Sequence, residues 1–187
     1  MKIVFLLEER STKELLDILL PRILPPEVTF ITIPHQGKAD LQNSITVKLK
    51  AWKEPNIRFV IIQDQDSNDC HVLKAKIQEL CKNSGREALI RIACHEMESW
   101  YFGDLEAVSK AYGKDLTKLS EKRKYRDPDS ISSPKQELRK LLPEHEQIAG
   151  ARRIAPHMDL DKNRSRSFIA LLNGLKRMTV TNNLTHR

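Results

Sequence analysis

Four short apolar segments alternate along the chain with longer segments in which apolar residues recur every three or four positions. The apolar segments are rich in β-branched and aromatic residues, which predicts four strands: KIVFLLE, EVTFITIP, NIRFVIIQ and ALIRIAC. A segment of helical period follows each of them. Because near-continuous apolar strands separated by helices are typical of a parallel sheet covered on both faces, we predict an α/β fold.

The predicted helices have sequence signals at their ends. The first lies in RSTKELLDILLPRIL, where Ser11 or Thr12 can act as the N-cap and the prolines at 25 and 26 end the helix. The next two helices are predicted in LQNSITVKLKAW and HVLKAKIQELCKNSG. MESWYFGDLEAVSKAYG is predicted to form one amphipathic helix.

The pattern changes after residue 113 to short helical segments, prolines and basic residues. We therefore expect an α/β core over residues 1–113 and a basic helical extension over 114–187, packed on the same domain, since the extension is too short and polar to hold a large core alone. No run of about 18 apolar residues is present, and the N-terminus lacks a signal-peptide cleavage site. The three cysteines are unevenly spaced, so we predict a cytoplasmic protein without a disulfide framework.

The chain carries a formal net charge of +7, and the excess is concentrated after residue 110 in KLSEKRKYR, GARR and DKNRSRS. A solvated basic surface is one interpretation, and charge alone favours it. Attraction to the phosphate backbone of a nucleic acid is the other. The concentration of the charge in one part of the chain favours the second interpretation.

Acidic residues follow three of the four predicted strands. Glu8 and Glu9 follow the first, Asp64 and Asp66 follow the third, and Glu98 comes soon after the fourth. In open parallel sheets ligands bind beyond the carboxyl ends of the strands, so these side chains are expected at one edge. Carboxylates held close together repel one another unless a cation or protons neutralise them, and Mg²⁺ prefers oxygen ligands. The sequence therefore predicts a metal site, with Glu98 as an additional ligand.

Helix capping is the alternative explanation for part of this pattern. Asp66 and the three residues after it, 67–69, are all good N-caps for the helix that follows. The acids after the first strand can equally be the solvated start of a loop. The metal interpretation gains weight because, without a metal, acids would have to follow both the first and the third strand by coincidence.

Phosphate-binding candidates lie in the basic C-terminal segments. Arg152 in GARRIAP and both Arg164 and Arg166 in NRSRSF carry guanidinium groups that match phosphate geometry. Ser165 or Ser167 can cap the last helix. An equally weighted alternative is that these arginines pair with the surplus acids and hold the C-terminal part on the sheet.

Two further phosphate-binding candidates lie in PHQGK after the second strand. His35 can contact a phosphate, although a structural hydrogen bond in the turn is the alternative. Lys38 is also a candidate, with simple solvation as its alternative.

LLEERS and IIQDQDS resemble the Toprim fold, in which a glutamate follows the first strand and Asp-x-Asp follows a later one. The chain as a whole resembles a small bacterial Toprim-like family of unknown function, distantly related to the Toprim nucleases of overcoming-lysogenization-defect type. The strings that carry this resemblance are LLEE, PHQGKADL, QDQDSNDC, RIACHEMESWYFGD, GARRIAP and NRSRSF. Toprim proteins usually place glycine after the glutamate. Here Glu9 follows, so Glu8, which ends the strand, is the preferred counterpart and Glu9 the second candidate.

The resemblance implies a Toprim/Rossmann-like core with a mostly parallel four-stranded sheet, and Mg²⁺- or Mn²⁺-dependent phosphodiester chemistry on nucleic acid. Glu8, Glu9, Asp64 and Asp66 would be catalytic, and Glu98 would join Glu8, Asp64 and Asp66 as a metal ligand. Relatives also imply an ATPase partner and a role in phage defence. The alternative is a non-catalytic, Toprim-shaped binding module that bridges a partner protein or nucleic acid, with its acids paired to arginines. A third hypothesis is an enzyme for a small phosphorylated molecule.

Overall fold

A parallel four-stranded sheet forms the centre of the computed structural model, which describes residues 1–180. The strand order is β2-β1-β3-β4, and the strands are β1 (Lys2–Leu7), β2 (Thr29–Pro34), β3 (Ile57–Asp64) and β4 (Ala88–Ala93). Leu6 of the central strand β1 lies opposite Ile33 of β2 and Ile61 of β3. The predicted α/β fold with a parallel sheet is confirmed.

Helices cover both faces of the sheet. They include α1 (Arg10–Ile23), α2 (Lys38–Ala51) and α3 (Cys70–Lys82). Because side chains alternate along a strand, Val4 and Leu6 pack with α2 and α3, while Phe5 and Leu7 pack with α1 on the opposite face. The two faces therefore carry separate apolar cores.

Helix α1 begins at Arg10, before both of its predicted caps. Glu9 occupies the N-cap position, whereas Ser11 and Thr12 lie inside the helix and are buried. The predicted cap is therefore wrong. The cause lies in the short connection from β1, which leaves only Glu8 and Glu9 between the strand and the helix.

The segment predicted as one helix after β4 forms two, α4 (Ser99–Phe102) and α5 (Leu105–Tyr112). Phe102 is the last residue of the first helix, and Asp104 is the N-cap of the second, accepting a hydrogen bond from the Ala107 N–H at 3.0 Å. A Cβ at Gly103 would lie 2.1 Å from Oδ1 of Asn163, so only glycine fits against this neighbour. The residue between the two helices thus packs closely against a distant part of the chain.

The C-terminal part adds α6 (Pro134–Leu141), α7 (Gln147–Ile154) and α8 (Arg166–Val180), together with three short 3₁₀ turns. Leu138, Ile154 and Phe168 from these helices belong to the same apolar core as Phe5 of β1 and Trp100 of α4. The described part of the extension thus shares the core on the α1 face. Residues 181–187 of the predicted extension lie outside the described residues.

The start of α8 agrees with its predicted cap. The Phe168 N–H donates to the Ser165 hydroxyl at 3.3 Å, which confirms Ser165 as a cap. None of the helices within residues 1–180 is long and apolar enough to cross a membrane. Cys70, Cys81 and Cys94 are all free thiols.

Candidate functional site

Glu8 and Asp64 meet at the carboxyl edge of the sheet. The strands that precede them, β1 and β3, are neighbours, so the two strand ends lie side by side. The backbone N–H of Asp64 donates to Oε2 of Glu8 at 3.1 Å, and each residue is only 8% exposed. Glu8, rather than Glu9, therefore faces the end of β3.

Glu98 is the third buried acid at this edge. It lies in the turn between β4 and α4 and is 1% exposed. Its negative charge acts on Asp64 and raises the pKa of that carboxyl. Within the described residues neither Asp64 nor Glu98 forms an ion pair, so these two carboxyls are buried without a directly bound cation.

Burial and mutual repulsion raise the pKa values of all three carboxyls. Desolvation raises the pKa of Glu8 to about 7, and the charges of Asp66 and Glu9 add to the effect. Desolvation also raises the pKa of Glu98 to about 7, although the charge of Lys135 opposes it. The pKa of Asp64 lies well above its usual range because of burial, followed by the charges of Glu98 and Glu8. Glu8 and Glu98 therefore bind protons more tightly in the metal-free protein than ordinary glutamates do.

Glu9 and Asp66 lie at the periphery of this cluster, and other side chains bind them. Glu9 accepts hydrogen bonds from Ser11 at 3.3 Å and from Gln147 of α7 at 3.1 Å. Asp66, at a positive φ of 52°, forms an ion pair with Lys38 at 2.9 Å. Both acids remain close enough to raise the pKa of Glu8, so the structure brings all five predicted acids to one region.

Lys135 at the start of α6 also belongs to this site, although the sequence pattern does not predict it. Its Nζ lies 3.7 Å from Oε1 of Glu9, and its backbone N–H donates to Glu96 at 2.8 Å. Burial lowers the pKa of Lys135, but the charges of Glu98 and Glu9 outweigh burial and raise it. No sequence motif predicts that this lysine lies in the site, because only the packing of α6 places it near the acids.

Capping of α3 is performed by Asp69. Its carboxylate accepts hydrogen bonds from the N–H groups of His71 and Val72 at 2.8 and 3.0 Å. Neither Asp64 nor Asp66 caps α3. Capping therefore does not explain the Asp-x-Asp pattern after β3.

The predicted phosphate-binding arginines all have partners within the protein. Arg152 binds Glu14 of α1 at 2.8 Å, and Arg166 binds Asp127 at 2.9 Å. The guanidinium of Arg164 donates to the carbonyls of residues 126 and 102, each at 3.0 Å. The contacts of Arg152 with Glu14 and of Arg164 with the carbonyl of residue 102 hold the C-terminal part on the core, which is the alternative role expected for the arginines. The partner of Arg166 lies within the C-terminal part itself. Phosphate binding by them stays a prediction.

His35 and Lys38 differ in how accessible they are. His35 is buried, with Nδ1 2.8 Å from the Leu7 carbonyl and Nε2 2.7 Å from the Ser44 hydroxyl. Both ring nitrogens are occupied, so this geometry gives no support to the predicted phosphate contact. Lys38 is exposed beside Asp66 and remains available.

Mg²⁺ and Mn²⁺ prefer oxygen ligands, and three separate segments of the chain contribute buried carboxylates to this site. Within residues 1–180, Asp64 and Glu98 form no ion pair. The donor chemistry of the site therefore fits these ions. In the described part of the chain, no three acid, histidine or cysteine side chains are already arranged to hold an ion. Metal binding by Glu8, Asp64, Asp66 and Glu98 stays a prediction.

The stability of the metal-free protein is expected to fall as the pH rises from about 5 to about 8. The pKa of Glu8 is 4.5 ordinarily and about 7 in the folded chain, so the folded state binds the proton more tightly. Stability from this proton is present at low pH and is lost as the pH passes through about 7. For one carboxyl the change is on the order of 3 kcal/mol. Urea unfolding in EDTA at several pH values measures it.

The Glu8→Gln variant isolates this contribution, because glutamine does not titrate. Its stability should change less over the same pH range, whereas Glu27→Gln, at an exposed position, should behave as the unaltered protein. Glu137 does not interfere, because its lysine partners lower its pKa to about 2, outside the window. The prediction would be contradicted if the free energy of unfolding changed equally with pH in the Glu8→Gln variant and in the unaltered protein.

Comparison with known proteins adds a family to this geometry. No curated protein matches the sequence. Among solved structures, the C-terminal region of the OLD protein of Xanthomonas campestris pv. campestris aligns over 97% of both chains with 12% identity and a TM-score of 0.48. A likeness at this level carries no conclusion about activity. The family model described as "Domain of unknown function (DUF4276)" matches residues 7–176. Since this match spans nearly the whole chain, the protein belongs to the DUF4276 family.

Proposed function

We propose that this protein is a metal-dependent nuclease, or a related phosphodiester-processing protein, of Toprim type. The observation that supports it best is that the backbone N–H of Asp64 donates to the Glu8 carboxylate at 3.1 Å, which places these two residues side by side at the sheet edge, with Glu98 buried nearby. Burying three acids together costs stability unless a ligand uses them. A purely structural role would be served equally well by apolar side chains.

The proposed roles follow from burial and charge. Glu8, Asp64, Asp66 and Glu98 would hold Mg²⁺ or Mn²⁺, which polarises a phosphate oxygen and stabilises a leaving oxygen when bound. As an alternative to binding metal, Glu8 would act as the general base that takes a proton from water. Glu9 supports the cluster from its edge.

The proposed substrate is a nucleic acid, in line with the net charge of +7. Lys38 and Lys135 flank the acids and can offset the negative charge of a phosphate. An ATPase partner and a role in phage defence are proposed only from the resemblance of the sequence motifs.

Thermal melting with and without metal tests the proposal. Millimolar Mg²⁺ or Mn²⁺ is expected to raise the melting temperature by about 5–10 °C, because a ligand at a hundred times its dissociation constant stabilises the folded state by about 2.7 kcal/mol. Asp64→Asn should abolish the rise. Asp161→Asn, at an exposed position, is the matched control and should retain it. The absence of any metal-dependent rise would contradict the proposal.

The second candidate is a non-catalytic module that binds a partner protein or nucleic acid. The ion pairs Lys38–Asp66 and Lys135–Glu9 favour it, because they neutralise part of the acidic cluster without metal. This function predicts nucleic-acid or protein binding that is the same in EDTA and in Mg²⁺. Metal-dependent cleavage would exclude it.

A further inference from the structure

A cavity of about 380 Å³ lies between the first turns of α2 and α3, on the side of β3 opposite Asp64. Adjacent residues on a strand point to opposite faces. Gln63 accordingly lines this cavity together with residues of α2 and α3, whereas the next residue, Asp64, lies in the acidic cluster. The end of one strand thus separates two polar sites.

The first turn of α2 presents free backbone donors to the cavity. Gly37 is the N-cap residue and supplies no side chain, and the carboxylate of Asp40 accepts from the Gln36 N–H instead of capping its own helix. In the described chain the N–H groups of Lys38 and Ala39 have no protein acceptor. This 14-residue helix therefore points unsatisfied amides and the positive end of its dipole at the cavity.

Gln63 supplies an independent sign of a ligand. The residue is fully buried, and its Oε1 accepts a hydrogen bond from Nε2 of Gln42 at 3.1 Å. Its own Nε2 has no partner among residues 1–180. Buried donors are almost always satisfied, so this amide lacks an acceptor that a ligand in the cavity would provide.

The charges around the cavity favour an anion. Lys38 and Lys76 line it; Lys38 forms an ion pair with Asp66 at 2.9 Å, whereas Lys76 forms none within residues 1–180, and the one acid among the lining residues, Asp69, already accepts two N–H groups of α3. A phosphate group offers several acceptor oxygens and negative charge, which suit helix amides, an amide side chain and two lysines.

We infer that this cavity binds a phosphate group, next to but separate from the acidic cluster. The Gly37 N–H donates to the Glu8 carbonyl at 3.0 Å, so the cavity wall and the acid-bearing loop are in direct contact. The inference rests on the proposed function only in taking the phosphate to be that of a nucleic-acid strand. Such a site would position a strand phosphate beside the acids.

Calorimetric titration of the full chain in EDTA tests the inference. The probes are inorganic phosphate and a short oligonucleotide with either a 5′-phosphate or a 5′-hydroxyl. Tighter binding of the 5′-phosphorylated strand assigns the site to a terminal phosphate, and equal binding of both strands assigns it to a backbone phosphate. Either result supports the inference when substitutions of the residues that line the cavity reduce this binding.

Lys76→Glu is expected to weaken binding by about tenfold or more, because it reverses a charge at the cavity. Lys74→Glu is the matched control on the same helix, outside the lining, and should change binding by less than about twofold. Gln63→Leu, of similar size, should also weaken binding while the protein keeps its circular dichroism spectrum. Lack of phosphate binding, or equal effects of Lys74→Glu and Lys76→Glu, would overturn the inference.

The test of the phosphate-binding cavity can fail or succeed independently of the test of the proposed nuclease function. Asp64→Asn removes the acid required for metal binding but leaves the cavity lining intact, so phosphate binding in EDTA should persist in this variant. A missing metal response together with phosphate binding sensitive to Lys76→Glu would refute the nuclease proposal and retain the cavity. A metal response without such phosphate binding would refute the cavity alone.

Discussion

Asp64→Asn is expected to reduce metal-dependent cleavage of nucleic acid by at least about a hundredfold. Asn has nearly the same shape but lacks the second carboxylate oxygen and the negative charge that the proposed ion requires. The pKa of Asp64 lies well above its usual range, mainly because of burial and the charge of Glu98. Replacing it with a neutral amide should therefore leave the folded state at least as stable above neutral pH.

The measurement is cleavage of labelled single- and double-stranded DNA and RNA in Mg²⁺ or Mn²⁺, followed by gel analysis. Asp161→Asn, with the same chemical change at an exposed position, should retain full activity. Urea unfolding of both variants separates loss of chemistry from loss of structure. Residual cleavage by Asp64→Asn close to that of the unaltered protein would exclude the proposed role of this residue.

Asp129→Ala is expected to lower the free energy of unfolding by about 3–5 kcal/mol. Asp129 lies in the 3₁₀ turn Pro128–Ser130, and its side chain is buried. Its carboxylate accepts hydrogen bonds from the Ser165 hydroxyl at 2.7 Å and from the Ser167 N–H at 3.0 Å. Truncation leaves these buried donors at the start of α8 without their acceptor. The Ser167 hydroxyl in turn accepts from the Trp100 indole at 2.9 Å, so the loss extends into α4.

Urea unfolding and thermal melting measure this effect, and a fall in melting temperature on the order of 10 °C is expected. Arg166→Ala is the control. It removes the ion pair of Arg166 with Asp127 and a longer contact of 3.9 Å with Asp129, but it leaves the hydrogen bonds of Asp129 in place, and the Arg166 side chain is 75% exposed, so its cost should be below about 1 kcal/mol. Equal costs for the two variants would show that the buried carboxylate does not hold α8 on the core.

The sheet could be predicted from the sequence because its strands are continuous apolar segments, and their alternation with helices allows few topologies. Helix ends were harder to place. At the break between α4 and α5, Gly103 packs closely against Asn163, a contact between distant parts of the chain that no local pattern records. Ser11 and Thr12 are good caps by type, yet the short connection after β1 starts the helix before them.

The acids of the site were predictable because the carboxyl ends of parallel strands share an edge, which brings Glu8 and Asp64 together. The position of Lys135 was not, because it depends on how α6 packs against the turn after β4. The arginines illustrate a different limit. A guanidinium group suits a phosphate and a protein carboxylate equally, and the contact of Arg152 with Glu14 could not be predicted from residue type.

The placement of Gln63 and Asp64 on opposite sides of β3 restricts how this protein can vary in length. Inserting or deleting one residue within the strand would invert the side on which every later side chain emerges. The buried amide would then move to the α1 side, and the carboxylate would move into the cavity between α2 and α3. Related chains should therefore accommodate gaps in the connection that precedes Ile57, and the spacing from Ile57 to Asp64 should stay constant among them.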